Sequence, residues 1–231
     1  MSHILCLEGI SKRFGYREIL KDINFSIKSG EFVIVIGNNG VGKSTLLRII
    51  STLTKPTKGK ILFKGKDQNE IAMKWLHKMG YVSEETRLYG DLSSIENLRL
   101  YGTFYEIEDI NLRINEILSK IDLIHVAKMP IRNFSSGMKK RLVIGKLMLY
   151  QPEILLLDEP FSGLDQKSLK WFKNYLKKFH QKGGTVLMVT HQFEHGLELA
   201  NRVMVIKNQN IHKNISTKGL DPGSLSILLE T

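Results

Sequence analysis

Phe32-Val33-Ile34-Val35-Ile36-Gly37-Asn38-Asn39-Gly40-Val41-Gly42-Lys43-Ser44-Thr45-Leu46-Leu47-Arg48-Ile49-Ile50 is the stretch that decides the fold. A short apolar, β-branched run leads into a glycine-rich turn, and a helical pattern follows. Gly37 to Ser44 satisfies G-x-x-x-x-G-K-[ST] at every fixed position, between a strand and a helix as the motif requires. Glycines let the backbone turn sharply and aim N–H groups at phosphate oxygens. The helix opening at Ser44 and Thr45 adds its positive end. Gly37, Asn38, Asn39, Gly40, Val41 and Gly42 are therefore expected to cradle phosphate. Lys43 is expected to bridge the β- and γ-phosphates, and Ser44 to offer its hydroxyl to Mg²⁺.

Two more apolar runs, Ile154–Leu157 and Thr185–Val189, read as buried strands of a sheet covered on both faces. Between the runs lie amphipathic helical patterns: Ile114, Ile117, Leu118 and Ile121, then Leu169, Phe172, Leu176 and Phe179. Strands alternating with helices predict an α/β protein with a mainly parallel sheet. Near Ile4–Leu7 and Ile23–Ile27, two strand-like stretches flank a polar turn at Phe14–Arg17 and predict a small antiparallel layer. Residues 85–151 read as a helical insertion, 1–84 and 152–211 as the core, and 212–231 as a short tail.

The run ending at Leu157 is followed by Asp158 and Glu159. Ligands sit at the carboxyl ends of strands in such sheets. Asp158 is expected to hold Mg²⁺ and Glu159 to orient or polarise an attacking water. A second acid beside the metal acid points to hydrolysis. Thr190-His191 follows the third run, from where His191 reaches a γ-phosphate.

Composition narrows the setting. The chain has 231 residues, 42% hydrophobic and 25% charged, which excludes a disordered or fibrous protein. The net charge is +11, and residues 1–80 carry 14 basic against 6 acidic side chains. A basic protein meets anions: nucleotides, nucleic acid or an anionic membrane face. One cysteine, Cys6, excludes an internal disulfide and a cysteine-built zinc site. The opening MSHILCLEGISKRF lacks the pattern of a secretory leader. No apolar run approaches the roughly 18 residues of a membrane-spanning helix.

Taken together, these motifs resemble the ATP-binding subunits of ABC transporters over roughly residues 3–210. The family's signature LSGGQ has its counterpart in Phe134-Ser135-Ser136-Gly137-Met138, with Ser135 and Gly137 matching and Ser136 and Met138 departing. Ser162-Gly163-Leu164-Asp165 is similar to the family's D-loop. The resemblance implies a P-loop NTPase core with an inserted helical signature subdomain, and ATP hydrolysis with ATP and Mg²⁺. Catalytic work would fall to Glu159, His191 and Lys43. Ser135 and Gly137 would meet ATP held by the opposite subunit of a head-to-tail pair, expected to be a homodimer. Phe14 sits where the family stacks an aromatic on adenine, with Tyr16 a substitute. Glu84 stands where the family usually has a glutamine, and is expected to touch the metal with Ser44 and Asp158. A multi-span permease is the implied partner, at the cytoplasmic face of the cell membrane, and no nucleic acid is expected.

The glycine-methionine-basic run is similar to exporter ATPases. Leu88–Leu92 with Ile95–Leu98, and Glu194–Val203, are similar to haem exporter subunits of cytochrome c maturation. The alternatives are an antibiotic, lipid or polysaccharide exporter, or an ABC ATPase acting on nucleic acid. A GTPase is disfavoured by the lack of N-K-x-D, and a nucleic-acid role by the lack of a coiled-coil insertion or a second ATPase unit.

Overall fold

The computed structural model describes residues 2–83, 85–192, 194–221 and 223. In chain order the elements are β1 (His3–Phe14), β2 (Arg17–Lys28), β3 (Phe32–Ile36), α1 (Lys43–Ile50), β4 (Lys58–Phe63), β5 (Lys66–Asp67), α2 (Ala72–Lys78) and β6 (Met79–Val82). There follow α3 (Ser94–Phe104), α4 (Ile110–Lys120), α5 (Ser136–Tyr150), β7 (Ile154–Asp158), α6 (Gln166–Gln181), β8 (Thr185–Val189), α7 (Glu194–Leu197), β9 (Arg202–Lys207) and β10 (Asn210–Ser216).

The strands form two sheets. A four-stranded antiparallel layer runs β2-β1-β4-β5, and a six-stranded sheet runs β10-β9-β3-β8-β7-β6. In the second sheet β9, β3, β8, β7 and β6 are parallel, and only β10 pairs antiparallel. Every residue of β3, β7 and β8 is buried, as expected for strands covered on both faces. One cluster packs α1 and the antiparallel layer on one face of the parallel sheet; another packs α5 and α6 on the opposite face. A third joins α3, α4 and α5, with Ile114, Ile117, Leu118 and Ile121 at its centre. α3, α4 and α5 thus form a helical body with its own core, sharing α5 with the sheet.

The antiparallel layer is larger than its apolar stretches suggest. β1 and β2 each run 12 residues, joined by the two-residue turn Gly15-Tyr16, and β4 and β5 extend the sheet. Register shifts along β1–β2 break the alternation of apolar and polar residues, which hides the strand period. β10 carries the sheet into the stretch that reads as tail. Its residues alternate exposed and half-buried with none fully buried, so it lacks an apolar signal.

Candidate functional site

β3, β6, β7 and β8 run parallel, so their carboxyl ends share one edge of the sheet. That edge carries the glycine loop after β3, Ser83 after β6, Asp158 and Glu159 at the end of β7, and Thr190-His191 after β8. They converge on a cleft of about 710 Å³ lined by Lys43, Ser44, Thr45, Asp158, Glu159 and His191 among others.

Gly42 makes the turn into α1. Its φ is 108°, and a Cβ there would lie 2.7 Å from Leu20 Cδ2, so only glycine fits. Lys43 is 7% exposed; its ammonium donates to the carbonyls of Gly37 (2.7 Å) and Asn38 (3.0 Å). Burial pulls the Lys43 pKa down from its ordinary value, while the carboxylates of Glu159 and Asp158 push it back up. Ser44 Oγ donates to Asp158 Oδ1 at 2.9 Å, which brings the glycine loop and the end of β7 into contact.

Glu159 has φ 46°, a left-handed backbone conformation uncommon for a side chain of this kind. Its N–H donates to the Val189 carbonyl at 2.9 Å. Its carboxylate accepts from the His191 N–H (3.1 and 3.3 Å) and from Thr190 Oγ (3.2 Å), and lies 2.9 Å from His191 Nδ1. The acid at the end of β7 is therefore held by the exit of β8. Strained backbone so held is typical of sites where geometry serves chemistry.

Gly37, Asn38 and Val41 do not line this cleft but a smaller cavity of about 300 Å³, shared with Asn39 and Gly40. Phe14 lines the main cleft. It is 54% exposed, and the Lys12 ammonium stands 4.7 Å from its ring centre. Tyr16 does not line the cleft. Glu84 lies outside the described residues. Arg17, Arg48, Tyr81, Ser83 and Glu85 also line the cleft, beyond the residues expected from the motifs. They come from strand ends and a helix face that no short motif marks. Thr190, 1% exposed, does not line the cleft but serves it from behind through its bond to Glu159; its place beside His191 at the strand exit is the signal.

Ser135 and Gly137 do not line this cleft. Ser135 caps α5, accepting from the Met138 N–H at 3.2 Å, and is exposed. Gly137 is buried: a Cβ there would lie 2.7 Å from Ser168 Oγ on α6. Ser136, which replaces a glycine of the signature, donates its hydroxyl to the Gly163 carbonyl at 2.8 Å, tying the signature to the Ser162–Asp165 segment.

The donors around Ser44 suit magnesium. Among the described residues no group of three or more His, Cys, Asp or Glu could hold a metal. Mg²⁺ needs no such cage, since it is bound by one or two protein oxygens plus phosphate and water. Asp158 and Ser44 supply such a pair at 2.9 Å.

The family model described as ABC transporter matches residues 20–162 of this chain. The chain belongs to the ABC transporter family. It is 34% identical over 188 residues to the lantibiotic transport ATP-binding protein SrtF of Streptococcus pyogenes, covering 81% of this chain and 80% of that one. It is 32% identical over 210 residues to the probable sulfate/thiosulfate import ATP-binding protein CysA of Chlorella vulgaris, covering 90% and 89%. The solved dimeric, post-hydrolysis structure of the ATP-binding cassette MJ0796 bound to ADP and phosphate superposes with a TM-score of 0.83. That match has 29% identity and covers 94% of this chain and all of that one. As an ABC ATPase domain the chain binds and hydrolyses ATP. Among the described residues no helix is long and apolar enough to cross a membrane.

Proposed function

We propose that this chain is the ATP-hydrolysing subunit of an exporter, working as a head-to-tail homodimer against a multi-span permease at the cytoplasmic face of the membrane. The observation that carries the reading is the 2.9 Å contact of Ser44 with Asp158, beside Glu159, in one cleft with Lys43 and His191. The reaction is ATP + H₂O → ADP + phosphate. Lys43 and the N–H groups of Gly40 and of Gly42 to Thr45 hold the phosphates. Ser44 and Asp158 would hold Mg²⁺, which when bound neutralises phosphate charge. Glu159 orients the attacking water and accepts its proton, and His191 steadies both Glu159 and the γ-phosphate. Phe14, at the rim of the cleft, offers a face to the base.

Ser135 and Gly137 lie off the cleft of their own chain, which supports a site completed by a second copy. Export is favoured by the likeness to SrtF, whose name states lantibiotic transport, and by the glycine-methionine-basic run. Haem as cargo rests on the two short segments alone, and neither relative reported above is named for it.

The test is Glu159→Gln. ATP binding, followed with a fluorescent nucleotide, is expected to stay within about threefold, while phosphate release falls by at least about a hundredfold. Phosphate release at the wild-type rate would remove Glu159 from the reaction.

A further inference from the structure

The nucleotide cleft is not the roomiest cavity. One of about 880 Å³ lies at the opposite edge of the parallel sheet, where Glu153 precedes β7 and Thr185 opens β8. The length of β7 and β8, roughly 15 Å, separates the two. This cavity sits between α4 of the helical body and α6 of the core, with Leu147 and Met148 of α5 between them.

Its lining has two parts. Trp171, Tyr175 and Phe179 of α6 stand one turn apart in a parallel ladder, with ring centres 6.1 and 6.3 Å apart. Together with Ile117, Leu147 and Met148 they make an apolar wall. Arg113, Lys120, Lys178 and Lys182 also line it, against one acid, Glu153. Glu153 is already engaged by Lys64 and Lys78. Arg113 and Lys120 share Glu116, whereas among the described residues Lys178 and Lys182 have no acid within ion-pair distance. Concave, aromatic-walled spaces of several hundred Å³ with a few convergent charges are the usual form of a small-molecule site.

We infer that this cavity binds a single-chain amphiphilic anion of the fatty-acid class, its chain along the Trp171–Tyr175–Phe179 wall and its head group at Lys178 and Lys182. The complementarity is of two kinds at once: the wall removes a chain from water, and the ammonium groups of Lys178 and Lys182 meet a carboxylate. Bound there, the ligand touches α4 and α6 together and so links the helical body to the core.

Laurate below its micelle concentration is the probe, and tryptophan fluorescence the readout. Trp171 lines the cavity, whereas Trp75 is fully buried elsewhere with its Nε1 bonded to the Ile50 carbonyl. Laurate is expected to change the emission saturably, and Trp171→Phe to remove the change. The exposed pair Lys178→Glu with Lys182→Glu is expected to weaken laurate at least tenfold. Dodecyltrimethylammonium, with the same chain and the opposite charge, is expected to bind the wild type at least tenfold more weakly than laurate does. No saturable response to laurate overturns the site; so does a response that survives in Trp171→Phe. Equal affinity for both head groups, or for wild type and the charge-reversed pair, overturns the anion. Flotation on oleate-doped phosphatidylcholine vesicles without a response to free laurate would assign the anion to a bilayer and overturn the free ligand. Nucleotide binding, measured in parallel, is expected to be the same in all variants.

Discussion

Lys146 lies on α5, 9% exposed, its ammonium 4.5 Å from the ring centre of Tyr101. Burial is the main cause that pulls its pKa down to about 8, and Arg87 adds repulsion. The folded protein therefore gives up this proton more readily than the unfolded chain. Below about pH 8 both states are protonated and the folded state bears the cost of a buried charge, on the order of 3 kcal/mol. As pH rises from about 8 through the ordinary lysine range the cost fades, so stability rises. Lys146→Met is expected to gain on the order of 1–3 kcal/mol at pH 7 and to flatten that rise, as read by urea unfolding at pH 7 and 9.5. Lys43 is the contrasting case. It too is buried with a lowered pKa, but its ammonium has two carbonyl acceptors and faces two carboxylates. Lys43→Ala is expected to leave the fold in place and to weaken nucleotide binding roughly 10–100-fold, the worth of a charge-assisted contact. Nucleotide titration decides it.

The junction of α5 with α6 shows why some elements read plainly and others do not. An alanine near the start of a helix is ordinarily better than glycine by up to about 1 kcal/mol. At Gly137 packing reverses that preference, because the new Cβ would lie 2.7 Å from Ser168 Oγ. Gly137→Ala is expected to cost about 1–3 kcal/mol, and adding Ser168→Ala to recover most of it, measured as thermal midpoints of both single variants and the pair. The sequence shows the glycine but not the serine across from it. The same limit runs through the fold. β3, β7 and β8 were legible end to end, give or take Asp158, since burial on both faces makes them continuous apolar runs. β4 and β10 were not, because each exposes half or more of its residues to solvent or a rim. In the site, Lys43, Ser44, Asp158, Glu159 and His191 were legible because each adjoins such a run. Arg17, Arg48 and Tyr81 came from distant elements, and only the folded edge brings them in.

At the scale of the whole molecule, the separation of Ser135 from the cleft of its own chain sets up a test that one copy cannot pass alone. If each site takes Lys43 from one copy and Ser135 from the other, two separately inactive proteins restore each other when mixed. Ser135→Asp suits this, because aspartate caps a helix as serine does while its charge opposes a phosphate. Lys43→Ala homodimers lack the lysine in both sites, and Ser135→Asp homodimers carry the opposing charge in both. A mixed dimer has one site with both defects and one with neither. In an equimolar mixture about half the dimers are mixed, so turnover is expected to recover to about one quarter of wild type if the sites fire independently. Ser135 serving its own chain would leave the mixture as inactive as its parts. Phosphate release from the two proteins, alone and mixed at equal total concentration, separates these outcomes without knowledge of the cargo.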